Sequence, residues 1–229
     1  MVGATLTVAI ALQQAGIAYT TVGKAGFIGS MGIVLIPVWE VIRGKRLHYL
    51  VWIGIIAAMG GMYFLCMTDN FSIQYGDAII LLSTVVYAAR LLIIDRYSNQ
   101  VDGVQLSLFQ FLVCAVISTI CSLLTEDFTW TMLIAAAGAV IYSGVMSSGV
   151  GYTLQILGQR YIEPTIANLI MSLESVFSVL AGWLLLDQHL SGRGFLGCGL
   201  MFTATMLVLL PNLIKKDENK IELEESDAM

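Results

Sequence analysis

Residues 12–30, LQQAGIAYTTVGKAGFIGS, return 142 positions later as residues 154–172, LQILGQRYIEPTIANLIMS. Seven positions coincide: Leu12/Leu154, Gln13/Gln155, Gly16/Gly158, Tyr19/Tyr161, Ala25/Ala167, Ile28/Ile170 and Ser30/Ser172. Both copies lie inside long apolar segments, so the chain reads as a duplicated membrane module. Modules of that kind are characteristic of transporters.

Composition points the same way. Of 229 residues, 58% are hydrophobic and 12% charged, where a soluble globule carries about 25% charge. The mean hydropathy is +0.84. The net charge of -5 owes much to a short acidic C-terminal stretch and does not suggest nucleic acid as a partner. Cys66, Cys114, Cys121 and Cys198 fall within apolar runs without paired spacing, which suggests packing rather than zinc ligation or a disulfide framework.

A membrane-spanning helix needs roughly 20 mostly apolar residues, because a helix satisfies its own backbone inside lipid. Eight such segments are expected, over residues 2–19, 22–42, 49–67, 76–95, 104–124, 132–157, 165–186 and 194–213. Basic residues accumulate on the cytoplasmic side. Arg43, Lys45, Arg46, Arg90, Arg96, Arg160, Lys215, Lys216 and Lys220 fall on one side, and Lys24 and Arg193 on the other. Both termini are therefore expected in the cytoplasm, and residues 214–229 as a disordered tail.

The two copies start five spans apart, and an odd number reverses direction, so the repeat is inverted. Residues 76–213 hold five spans, whereas residues 1–67 hold three. By symmetry two helices are expected before residue 1; a natural eight-helix version of the fold is the alternative. The expected fold is thus an all-α integral membrane protein, an incomplete form of a ten-helix bundle made from two inverted five-helix repeats.

Residues 154–211 carry a recognisable set of pieces. These are the L-Q-x-x-G-x-x-Y helix end at Leu154–Tyr161, the Pro-Thr start at Pro164, the triplet Ser172–Glu174 and the acidic helix end at Asp187. They closely resemble the end of an EamA-type carrier of the drug/metabolite transporter superfamily, and residues 12–67 resemble the matching part of the first EamA repeat. The resemblance implies a carrier that moves small metabolites or drugs outward across the cell membrane by alternating access, with no cofactor. Two positions depart from the family's usual pattern: Ser175 stands where Pro is usual, and Asp187 where Glu is usual.

Glu174 is the sharpest candidate for chemistry, lying roughly 14 Å into the helix that starts near Thr165. At that depth an acidic group should face a cavity, be protonated or find a partner. It reads either as a substrate ligand or proton-coupling group, or as a hydrogen-bonded residue that fixes packing. Asn168, Met171 and Ser175 share its stripe of the helix. Gln13 and Gln155, kept in both copies, and Tyr152 add uncharged polar groups suited to a small solute; interhelical bonding is the competing account. Glycine and serine at 138, 143, 144, 147–149 and 151 suggest close helix packing, as in Gly144/Ser148 and Ser147/Gly151. Pro37, with the ridge Gly26, Gly29 and Gly32, suggests a kink in span 22–42. Arg90, Arg96 and Glu40 read as groups that snorkel or pair at the cytoplasmic helix ends. No Walker-type phosphate loop is present, and two loop histidines with one deep carboxylate make an intramembrane enzyme a poor reading.

Overall fold

A computed structural model of the protein describes residues 1–66, 74–98, 100–125, 130–185 and 191–227. Asp187 and His189 lie outside the described residues. Among those residues the chain is helical throughout: α1 (Val2–Ile17), α2 (Val22–Gly29), α3 (Gly32–Ile42), α4 (Tyr49–Cys66), α5 (Tyr75–Ser98), α6 (Gly103–Thr125), α7 (Trp130–Tyr142), a π-helical segment (Ser143–Tyr152), α8 (Thr153–Gln159), α9 (Pro164–Leu185) and α10 (Gly192–Asp227). Six stretches are long and apolar enough to cross a membrane, and α1 is a shorter apolar helix. With α7 to α8 as one interrupted pass, these account for the eight expected segments.

Helix starts follow the local sequence. The Thr21 hydroxyl accepts from the Lys24 amide at 3.4 Å at the start of α2. Asp102 accepts from the amides of Val104 and Gln105 at 2.9 and 3.2 Å before α6. Such side chains satisfy amide donors that the helix leaves without partners.

Lipid tails are as apolar as leucine, so helices associate through close packing more than through water exclusion. The broadest interface is α4 against α10, and small residues make it. A Cβ added at Gly61 would stand 2.8 Å from the Gly197 carbonyl oxygen, and one at Gly54 2.3 Å from a Val208 methyl. Ile55, Ala58 and Met62 of α4 are buried there with Met201, Ala204 and Val208 of α10, and Leu169 and Val176 of α9 join the same core. α1 packs chiefly on α5 and then α6, while α3 packs on α9 and α5.

Two expectations are corrected. Span 22–42 breaks at Ser30–Met31, with Pro37 inside the regular α3. The Ser30 hydroxyl donates to the Phe27 carbonyl at 2.6 Å, and the backbone tightens through three-residue bonds from Met31 to Ile28, Ile33 to Ser30 and Val34 to Met31. Flanking Gly29 and Gly32 favour the break, because glycine is a weak helix former and a serine bonded back to the preceding turn bends a helix. Span 132–157 is not a uniform α-helix, since its glycine- and serine-rich part adopts the wider π form. The backbone of α10 runs to Asp227.

The small residues of the π segment do not form a tight helix interface. Gly144, like Gly138 in the preceding α7, has open space where a Cβ would sit. By the repeat offset, Ser143–Tyr152 matches residues 1–10, yet the π segment buries none of its residues, whereas α1 buries Val2, Gly3, Leu6, Thr7 and Ala9. α7 packs onto its π continuation and makes no comparable interface with another described helix.

Candidate functional site

A cavity of about 890 Å³ lies among α1, α2, α3, α5, the π segment, α8 and α9. All seven sequence candidates stand on its wall: Gln13 from α1, Tyr152 from the end of the π segment, Gln155 from α8, and Asn168, Met171, Glu174 and Ser175 from α9. The repeat explains part of this meeting, since Gln13 and Gln155 are the same position in two copies. So does the pair Ser30/Ser172: Ser172 donates to the Leu169 carbonyl at 2.6 Å, the counterpart of the Ser30–Phe27 bond, although only the first copy breaks its helix.

Where the copies face each other they differ in polarity. The offset matches Gly26 to Asn168 and Gly32 to Glu174, so one wall is bare backbone and the other carries an amide and a carboxylate. A Cβ at Gly32 would lie 3.5 Å from Asn168 Nδ2. Asn168 Nδ2 and Gln155 Nε2 are buried donors without a hydrogen-bond partner, which leaves them available to a bound solute. Glu174 is exposed and lines the same space.

Two further groups on the cavity wall were not among the sequence candidates. Tyr87 lines the cavity and its hydroxyl lies 3.3 Å from Gln13 Oε1. Arg90 does not snorkel: it is 1% exposed. Its Nε and Nη2 donate to Gln110 Oε1 at 3.2 and 2.7 Å, and its guanidinium sits 5.0 Å from the centre of the Tyr152 ring. Its place inside a span, roughly 12 Å from the nearer end of α5 by helical rise, is the sequence signal that marks it.

Polar ties join helices at both ends of the bundle. At one end Thr20, between α1 and α2, donates to Asp77 of α5, and Asp77 Oδ2 also accepts from the Gln74 amide at 2.8 Å. At the basic end Thr165 of α9 donates to Glu40 of α3, whose other oxygen pairs with Lys45 at 2.8 Å. Glu40 therefore holds across the bundle, beyond the local pairing with Arg43 that its sequence position suggests. A smaller recess of about 390 Å³ at this end gathers Trp39, Glu40, Arg43, Lys45, Leu92, Asp95 and Arg96. Lys45 lies outside the spans; burial tends to lower its pKa, but the hydrogen bond and charge of Glu40 outweigh that and raise it above the ordinary 10.5.

The comparisons with known proteins agree with this architecture. The family model described as EamA-like transporter family matches residues 74–210, more than half of the chain. A protein of Archaeoglobus fulgidus named as an uncharacterized transporter is 28% identical over 206 residues, covering 86% of this chain and 64% of that protein. The chain thus spans slightly under two thirds of that curated relative. A solved crystal structure superposes with a TM-score of 0.79 at 16% identity, over 90% of this chain and 73% of the other, and so shares the fold. On the family match, the chain is a multi-pass membrane protein that belongs to the EamA-like transporter family.

Proposed function

We propose that this protein is a secondary carrier that moves small metabolites or drugs by alternating access, with the cavity as its solute site. Residues 1–67 are the last three helices of a first repeat and residues 76–213 a complete second repeat, which rock against each other. The observation that carries this reading is the convergence of Gln13, Gln155, Asn168 and Glu174 on one cavity, fed from both copies of the repeat. The ties Thr20–Asp77 and Thr165–Glu40 are contacts between the copies at opposite ends, the kind that rocking would make and break in turn. The distribution of basic residues supports a cytoplasmic C-terminus, and the family resemblance favours the cell membrane and outward movement.

The test is counterflow in proteoliposomes with a panel of labelled anionic, neutral and cationic solutes. Exchange of at least one solute is expected, with Glu174→Gln reducing its rate while inserting normally. Failure to exchange any of them would remove the carrier reading. One observation favours a second reading, a membrane subunit that does not transport by itself: the π segment and α7 leave an apolar face without a helix partner among the described residues. Exchange by the chain reconstituted alone decides against it.

A further inference from the structure

The two charged side chains on the cavity wall are Glu174 and Arg90, and Arg90 is the one without an obvious reason to be there. It lies well inside a membrane-spanning helix and is 1% exposed. A guanidinium stays protonated in proteins, so burial cannot neutralise it. An ionised group at membrane depth normally pairs with an opposite charge. The partners shown for Arg90 among the described residues are instead neutral: one amide oxygen of Gln110 and the face of Tyr152.

Its surroundings are short of acceptors. Gln110 spends its oxygen on Arg90, and its Nε2 is itself a buried donor without a partner. Gln155 Nε2 and Asn168 Nδ2 on the cavity wall are in the same position. The Tyr87 hydroxyl, one turn before Arg90, donates to Gln13 Oε1 and is also hydrogen-bonded with Tyr152, so the acceptors it adds near Arg90 are neutral hydroxyl oxygens. Two of the five guanidinium N–H groups serve Gln110 Oε1, and the planar fork suits a second acceptor with two oxygens in one plane.

From these positions we infer that the transported solute carries a carboxylate, which pairs with Arg90 beside Tyr152 while the unpartnered amides of Gln155 and Asn168 take further acceptor atoms of the solute. This rests on the carrier reading above and narrows it to organic acids. Gln110 holds the guanidinium in place when the site is empty, and Tyr152 covers its face. Glu174, across the same cavity, disfavours a second carboxylate, so monocarboxylates are preferred to dicarboxylates.

The experiment uses the purified chain in proteoliposomes and lipid nanodiscs with matched acid and amide pairs: acetate and acetamide, lactate and lactamide, benzoate and benzamide. At least one acid should raise the Tm and undergo counterflow, with its amide at least tenfold weaker. Arg90→Gln should weaken the acid tenfold or more and erase the acid-to-amide preference, and Arg90→Lys should retain part of it, because the charge survives without the fork. If Arg90→Gln does not fold, Arg90→Lys and the wild-type acid-to-amide ratio carry the test. Equal handling of acid and amide, an unaltered ratio in Arg90→Lys or Arg90→Gln, or exchange confined to neutral or cationic solutes would overturn the inference while leaving the carrier intact. Absence of exchange for every solute class would overturn the carrier as well.

Discussion

Glu40 is 3% exposed; Lys45 stands 2.8 Å from one of its oxygens and Thr165 donates to the other. Removing the lysine leaves a buried carboxylate with one neutral donor. Lys45→Met should therefore lower stability by about 1–3 kcal/mol, the usual cost of an unsatisfied buried polar group, read as a fall in Tm. The pH dependence has a defined sign. Lys45 has a raised pKa in the folded state, so its contribution is fully present below the ordinary 10.5 and is lost as pH rises through the higher folded value. Its loss should appear only in the alkaline range, and the Lys45→Met variant should lack that alkaline step. Among cavity residues, the deep carboxylate and the repeated glutamines were legible from sequence because depth and repetition mark them. Arg90 was read as snorkelling, although its depth in α5 is a signal against that, because sequence does not show the positions of Gln110 and Tyr152 that hold it inward.

At the scale of elements, hydropathy locates the passes because each must bury its backbone polar groups within itself. Irregularities inside a pass leave a weaker mark. Pro37 draws attention as a helix breaker, yet the break falls at Ser30–Met31, where glycine flanks a serine that bonds back to the helix. The serines and glycines of residues 143–151 suggest tight packing, but close approach depends on what lies opposite, which sequence does not show. The α4–α10 interface is where small residues do bring backbones together. Gly61→Val should place methyl groups against the Gly197 carbonyl and Met201, and overpacking of that kind costs about 1–3 kcal/mol. A variant Tm equal to that of the wild type, measured in the same detergent, would contradict this packing.

For the molecule as a whole, the repeat does two things. It places equivalent residues of two copies around one cavity, and it lets each end be tied by a contact between copies, Thr20 to Asp77 at one and Thr165 to Glu40 at the other. Both ties are present together in this structure. On the carrier reading proposed above, opening at either end would separate one tie while the other holds, so that a solute bound from one side could be released to the other without a continuous pore. The most direct test is site-directed labelling of Ser175→Cys, a cavity position, in a background where Cys66, Cys114, Cys121 and Cys198 are replaced. A membrane-impermeant maleimide added to either face of the membrane should modify it, and cross-linking residues 40 and 165 should abolish modification from the basic side alone. Modification from one face only, or from both faces with the cross-link in place, would contradict alternating access through this cavity.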